Sequence, residues 1–161
     1  MAGRLRYTDP VRRAALFAGV LALLATGGPR LSAQQVPTLR QLELTPIPTG
    51  NMSVEEIRAA IEKIKKGRTL NIVPAQGTDD SQDLTILVLE NKSPFDLLVL
   101  IAGPVTFRAD LRPDAAHYYA IEPGAYELAV TVVGKNVPPF YGTQRLTAKT
   151  RFRHQFVIPI A

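Results

Sequence analysis

The hydrophobic pattern of this chain changes its period at Gly67, and that change limits the possible folds more than any other feature. Before Gly67, residues 53–66 carry apolar side chains at helical spacing. After it, apolar and polar residues alternate, or apolar residues form short runs between turns, as far as the C-terminus. Alternation with period 2 and short bounded apolar runs are typical of β-strands. The sequence therefore predicts one helix over 53–67, followed by a β-domain over 68–161.

The segment before Gly67 predicts an amphipathic helix with defined ends. Ser53 and Glu56 form an S-x-x-E capping box, and Gly67 is placed to end the helix in a left-handed conformation. The apolar stripe of this helix consists of Val54, Ile57, Ile61 and Ile64. Two roles for the stripe stay open, which are packing on the β-domain and docking of another protein.

Eight segments of the β-domain have the length and pattern of short strands. They are 69–73, 84–90, 95–102, 105–111, 117–121, 126–132, 144–148 and 152–158. The segments 84–90 and 95–102 are apolar on both faces, which predicts that they form the centre of the sheet. The number and spacing of the segments predict a mainly β fold, a seven- to eight-stranded antiparallel β-sandwich with one N-terminal amphipathic α-helix.

The first 33 residues have the order of regions that a secretory signal peptide has. A basic start is followed by the apolar run 14–25 and by a small-residue cleavage site at Ala33, so the mature chain is expected to begin at Gln34. An uncleaved membrane anchor is the alternative, but a spanning helix needs about 20 apolar residues. We therefore expect export to the periplasm, the extracellular space or the cell envelope, with no membrane span after cleavage. Residues 34–52, rich in proline, predict an extended leader.

Composition excludes several classes of protein. The chain has no cysteine, so it has no disulfide framework, and an apolar core must supply its stability. The formal net charge is +5, but five arginines and one acid precede Gln34, so the remaining 14 bases face 13 acids. A nucleic-acid binder needs a basic face, which this balance does not provide. A nucleic-acid partner is therefore not expected.

One hairpin carries a resemblance to a known class of modules. The sequence EPGAYELAV over residues 122–130 resembles the P-G-x-Y-x-L hairpin of extracytoplasmic immunoglobulin-like and transthyretin-like β-sandwich modules of secreted bacterial proteins. The Pro123-Gly124 pair in it predicts a type II turn. The resemblance implies a non-enzymatic binding, spacing or adhesion unit, and the strand order of either class fits the pattern. The chain lacks the cysteine pair and tryptophan of an antibody-type core.

No residue pattern predicts catalysis, a metal site or a cofactor. His117 and His154 are the only histidines, and a small hydrolase or metalloprotein would have to use one of them. A packed histidine between Phe152 and Phe156 is the simpler interpretation of His154. The acidic segment 79–83 lacks the spacing of a calcium loop. The chain is expected not to be an enzyme, and no cofactor is expected.

Two groups of residues are candidates for binding. Phe140 and Tyr141 follow two prolines, which would hold these aromatic side chains in place for a ligand, although large rings also commonly plug one end of a sandwich. Lys149, Arg151 and Arg153 share one face at period 2 and form a basic stripe. Such a stripe can meet an anionic partner, or it can protect an edge strand from aggregation.

These observations predict an exported, non-enzymatic β-sandwich that acts as a protein-interaction or cell-envelope binding module. The first alternative is a binder of carbohydrate or of a small anionic ligand, which would use Phe140, Tyr141 and the basic stripe. The second alternative is the hydrolase or metalloprotein that depends on His117 or His154.

Overall fold

The computed structural model describes residues 43–50, 52–81 and 83–158. The predicted signal peptide lies outside these residues, as does most of the predicted leader. The described elements are a helix α1 (Val54–Lys66) and strands β1 (Leu70–Asn71), β2 (Gly77–Thr78), β3 (Ile86–Asn91), β4 (Leu97–Ala102), β5 (Phe107–Leu111), β6 (Ala116–Ala120), β7 (Gly124–Val132), β8 (Phe140–Leu146) and β9 (Arg151–Phe156). Within these ranges, no helix is long and apolar enough to cross a membrane.

The nine strands form two sheets that face each other. One sheet has five strands in the order β1-β8-β7-β4-β5, and the other has four in the order β2-β9-β3-β6. The predicted mainly β class and two-sheet arrangement are confirmed. The prediction of a purely antiparallel sandwich of seven or eight strands is wrong, because β1 pairs with β8 in parallel, β3 pairs with β9 in parallel, and the described residues contain nine strands.

The main core lies between the two sheets. Alternate residues of each strand point inward, as the period-2 pattern requires. Phe107 of the five-stranded sheet contacts Tyr119 of the four-stranded sheet, with ring centroids 4.8 Å apart. Both rings are 1% exposed. These inward faces join the sheets through apolar contact rather than through covalent links, as the absence of cysteine predicts.

The helix packs on the outer face of the five-stranded sheet. Ile57 and Ile61 are buried against Leu100 and Ala129, so the molecule has a third layer on that side. The predicted capping box is present, since Ser53 and Glu56 exchange side-chain-to-backbone hydrogen bonds of 2.7 and 3.2 Å. The buried stripe therefore contacts this chain's own sheet.

Two details of the helix prediction are wrong. Val54 is 43% exposed and is not part of the apolar cluster between the helix and the sheet. Gly67 has a φ of −90°, which is extended rather than left-handed, and its N–H still donates to the Ile64 carbonyl over 2.9 Å. The helix thus ends without the positive φ for which glycine is usually required.

The segments 84–90 and 95–102 are interior strands, as predicted, but the prediction that they form the centre of one sheet is wrong. These segments are β3 and β4, and they lie in opposite sheets. The buried side chain of Asn91 holds the connection between them, since its Nδ2 lies within 3.1 Å of the carbonyl oxygens of Phe95, Leu111 and Arg112. A chain bound in this way crosses from one sheet to the other instead of turning back on itself.

The segment 122–130 does not form the predicted hairpin, because its turn joins β6 to β7, which lie in different sheets. Gly124 in this turn has a φ of 155°, which is positive but not the value of a type II turn. A Cβ atom at this position would lie 2.6 Å from Cγ of Pro104. Glycine is therefore required at the start of β7 both by backbone conformation and by space.

Candidate functional site

A cleft of about 240 Å³ opens between the two sheets on the side where β1 and β9 lie. We call it the β9 cleft. Its lining is mostly apolar and comes from the end of β1, from β7 and β8, and from the second half of β9 and the residues after it. The lining residues are Asn71, Ile72, Val73, Val130, Phe140, Arg153, His154, Gln155, Phe156, Val157 and Ile158.

The chain between β1 and β2 forms one wall of the cleft. Ile72 approaches β8 so closely that a Cβ atom on Gly142 would lie 2.7 Å from it, and the Ile72 N–H donates to the Tyr141 carbonyl over 2.9 Å. Beyond Pro74, the side chain of Gln144 accepts a 2.7 Å hydrogen bond from the Ala75 N–H. These bonds carry the chain across to the other sheet, where β2 pairs with β9.

One edge of β9 is uncovered over most of its length. β2 pairs only with Arg151 and Phe152, and no later residue of β9 has a backbone partner on that side within the described ranges. On the other side, the parallel ladder with β3 runs from the bond between the Ile86 N–H and the Thr150 carbonyl to the bond between the Lys92 N–H and the Phe156 carbonyl.

The direction of the free backbone groups follows from this ladder. In a parallel pair, alternate residues of a strand direct both their N–H and their C=O toward the same neighbour. Because Thr150 and Phe156 bond to β3, the residues between them at even numbers do the same. Arg153 and Gln155 therefore direct their backbone groups to the uncovered edge, beside the cleft.

His154 is a buried polar group in this apolar lining. Its side chain is 4% exposed, and its Nε2 atom has no hydrogen-bond partner among the residues that the structure describes. Burial lowers the pKa of His154 to about 4, so the imidazole is neutral at pH 7. It stacks on Phe156, with ring centroids 6.3 Å apart and an interplanar angle of 10°. A buried imidazole with an unused nitrogen is suited to receive a polar group from a ligand.

The rim of the cleft is apolar and exposed. Val73 is 80% exposed and Val157 is 64% exposed, which are the two highest values among the large apolar side chains of the described residues. Single exposed apolar residues are common, but here two flank one cleft and one open strand edge. This combination is typical of a surface that contacts another molecule.

The two aromatic residues predicted to bind a ligand lie on opposite faces of β8. Phe140 lines the β9 cleft and packs against the inter-sheet core. Tyr141 points to the helix side, where its hydroxyl donates to Oε1 of Glu127, and Nζ of Lys65 lies 2.9 Å from the same oxygen. Consecutive residues of a strand point in opposite directions, so the structure does not bring these two rings together.

The Tyr141 contact joins the helix to the sheet. The Tyr141 hydrogen bond and the nearby Lys65 ammonium hold the pKa of Glu127 below its ordinary value. Burial and the Glu127 carboxylate raise the pKa of the Tyr141 hydroxyl. These three side chains fix the last turn of α1 against β7 and β8, which gives Tyr141 a structural contact on this face.

The predicted basic stripe is not a continuous surface. Lys149 lies in the turn before β9 with a φ of 58°, and Arg151 is only 7% exposed, with Nη1 3.0 Å from Oδ2 of Asp80. Arg153 is exposed beside the cleft and forms no ion pair with the described residues. Of the three bases, only Arg153 adjoins the cleft.

The two histidines do not form a joint site. Both pair in register with Leu89, which lies between them, so one strand separates the imidazoles. Nδ1 of His117 lies 3.0 Å from the hydroxyl oxygen of Tyr119. In the part of the chain that the structure describes, no group of three or more histidine and acidic side chains is arranged to hold a metal ion.

The sequence reasoning missed the exposed rim residues and the free edge of β9. Val73 follows Ile72 and Val157 lies between Phe156 and Ile158, so in the sequence both look like the ends of apolar strands. Whether an edge is covered depends on the length of β2, which is only two residues. The strongest available signal was the position of His154 between two phenylalanines, which predicts burial but gives no sign of an unused nitrogen.

Comparisons of the chain with family models, with curated proteins and with solved structures found no match.

Proposed function

We propose that this protein is an exported, non-enzymatic interaction module that binds an extended polypeptide segment by adding it as a strand to the free edge of β9. The observation that carries the proposal is the free edge itself, at which Arg153 and Gln155 present backbone donors and acceptors without partners among the described residues. An exposed edge is a template for pairing with another chain, and domains that recognise peptides commonly use it.

The surroundings of the edge favour the binding of one segment over aggregation by continued strand addition. The free stretch is short, and the charged side chain of Arg153 lies on it, which discourages unlimited sheet growth. The β9 cleft lies directly beside the edge, so an added strand would place alternate side chains in the cleft. Main-chain bonds would then supply affinity, and the cleft would supply specificity.

The sequence also supports export of this chain and a class of module to which it would belong. The signal-like order of residues 1–33 supports export to the periplasm, the extracellular space or the cell envelope. The two-sheet fold and the sequence resemblance of residues 122–130 are what support the immunoglobulin-like or transthyretin-like class of extracytoplasmic modules in this proposal. In such a module, a partner protein or an envelope component would supply the bound segment.

A small ligand such as a sugar is the competing occupant. Sites for small molecules typically have volumes of about 300 to 1,000 Å³ and enclose most of the ligand. The β9 cleft, at about 240 Å³, is smaller than this range and lies open along a strand edge. Its size and position fit the side chain of an added strand better than a whole small molecule.

The test compares backbone amides along β9 by hydrogen exchange. For this test, the chain is purified after export from a bacterial host. Mass spectrometry of its N-terminus then shows whether the mature chain begins at Gln34, as predicted. We expect fast exchange at Arg153 and Gln155 and slow exchange at His154 and Phe156, which bond to β3. The probe is the capped peptide TVEYEVT, which has the alternating pattern of a strand. Adding it should slow exchange at Arg153 and Gln155. Slow exchange at Arg153 and Gln155 without peptide would show that the edge is already covered and would contradict the proposal.

Two variants of Gln155 distinguish the contribution of its backbone N–H to peptide binding from the contribution of its side chain. Gln155→Pro removes the N–H that points to the free edge without removing a bond to β3, so we expect it to weaken peptide binding at least about tenfold. Gln155→Ala keeps that N–H and should bind as the unmodified protein does. Equal affinity of both variants would exclude strand addition at this edge.

A further inference from the structure

We propose that the β9 cleft holds one tyrosine side chain of the added segment, and that the residues on either side of this tyrosine are acidic. This inference rests on strand addition at the edge of β9. It specifies the occupant from the size of the cleft, the chemistry of His154 and the position of Arg153.

The size of the cleft selects one large side chain. Its volume of about 240 Å³ is enough for an aromatic ring, and its walls include the apolar residues Ile72, Phe140 and Phe156. Buried aromatic side chains in pockets contribute most of the affinity of many interfaces. A small side chain in the same position would leave much of the cleft filled with water or empty.

The chemistry of His154 selects tyrosine among the aromatic residues. At pH 7 the neutral imidazole presents Nε2 either as a donor or as an acceptor, depending on which nitrogen carries the proton. The tyrosine hydroxyl both donates and accepts, so it matches either tautomer. Phenylalanine has no polar group and would leave Nε2 without a partner, while the indole of tryptophan can only donate.

The alternation of strands then places the flanking residues. A residue that points into the cleft opposite His154 has neighbours that point to the outer face, where Arg153 and Gln155 lie. Arg153 is exposed, and among the described residues it has no ion-pair partner and no carboxylate lines the cleft. From residue 134 to the C-terminus the sequence has five bases and no acid. An acidic residue next to the tyrosine would therefore meet Arg153 with complementary charge.

Capped peptides test each element of this motif by fluorescence anisotropy with the full exported chain. The reference probe is TVEYEVT, in which the tyrosine points inward and both glutamates point outward. Replacing the tyrosine by phenylalanine should weaken binding about two- to tenfold, which corresponds to one net hydrogen bond. Replacing it by alanine should weaken binding more than about tenfold, because the ring no longer fills the cleft.

Two protein variants assign these effects to the named residues. In His154→Phe, the preference for tyrosine over phenylalanine should fall to about one, since Nε2 is gone while an aromatic ring remains. In Arg153→Gln, an exposed change that leaves the core intact, the glutamate peptide should bind no better than TVQYQVT. The unmodified protein should prefer the glutamate peptide, and added salt should reduce that preference.

The outcomes separate this inference from the proposed function. If tyrosine, phenylalanine and alanine peptides bind equally and all slow the exchange of Arg153 and Gln155, strand addition stands and the tyrosine proposal is wrong. If no peptide binds and the exchange does not change, strand addition itself fails. A preference for tyrosine that persists in His154→Phe would assign the hydroxyl contact to another residue and would also overturn the proposal.

Discussion

At the scale of single residues, His154 links the candidate site to the pH dependence of folding. The imidazole is buried and neutral, and its pKa falls from 6.5 to about 4 in the folded chain. Above pH 6.5 the folded and unfolded chains are both neutral at this residue, so it adds no pH dependence. Between pH 6.5 and 4 the unfolded chain takes up a proton that the folded chain does not, so stability falls as the pH falls.

We expect the His154 contribution to lower the free energy of unfolding by about 3 kcal/mol between pH 7 and pH 4. Urea unfolding at a series of pH values measures this effect. The control is His154→Phe, which cannot bind a proton and should lose less stability over the same range. Burial also lowers the pKa of His117, so a smaller slope should remain in the variant. Parallel pH profiles for the two proteins would contradict the prediction.

At the scale of elements, sequence reasoning succeeded where the signal is local. The capping box at Ser53 and the spacing of Ile57 and Ile61 depend only on residues within the helix, so they predicted α1 almost to its ends. The choice of partner strands for β3 and β4 depends on contacts between distant residues. A turn sequence such as 91–94 suits either a hairpin or a crossing, and the pattern alone does not distinguish them.

The packing of α1 predicts that two residues of the same stripe contribute differently to the free energy of unfolding. Ile61 is 1% exposed under the helix, whereas Val54, on the same predicted stripe, is 43% exposed. Ile61→Ala should lower the free energy of unfolding by about 3 kcal/mol, because it leaves a cavity against the sheet. Val54→Ala should lower it by less than about 1 kcal/mol. Chemical denaturation of both variants measures the difference.

Limited trypsin digestion provides a second readout of the same contact. The helix contains Arg58, Lys63, Lys65 and Lys66 as cleavage points. The unmodified protein should resist cleavage within α1, and Ile61→Ala should be cut there faster. Equal stability losses for the two variants, together with rapid cleavage of the unmodified helix, would show that α1 is not held on the sheet.

At the scale of the whole molecule, sequence analysis predicted the layers better than the site. Alternation predicts which residues point inward, and it placed the strand of Phe152, His154 and Phe156 correctly against a core. It could not show that Arg151 is buried beside Asp80, or that Phe140 and Tyr141 serve different layers. Those facts depend on where β8 begins and on which edge of β9 is covered, and both are set by contacts between separate parts of the chain.

Asn91 connects the two sheets and therefore affects the molecule as a whole. It ends β3 in the four-stranded sheet, while its Nδ2 lies 3.1 Å or less from carbonyl oxygens next to β4 and at the end of β5 in the other sheet. Its Oδ1 accepts from the N–H of Ser93 over 2.9 Å. The side chain is 0% exposed, so water cannot replace these bonds.

Asn91→Ala should lower the free energy of unfolding by about 3 kcal/mol or more, since it leaves several buried polar groups without partners. Because the apolar core between the sheets remains, unfolding should stay a single transition at lower urea concentration, with fluorescence and circular dichroism midpoints that coincide. The neighbouring change Lys92→Ala removes an ion pair between this exposed lysine and the half-buried Glu90, and it should lower the midpoint much less than Asn91→Ala does. Separate transitions for the two probes in Asn91→Ala would instead mean that the sheets unfold independently, and that the apolar core alone does not couple them.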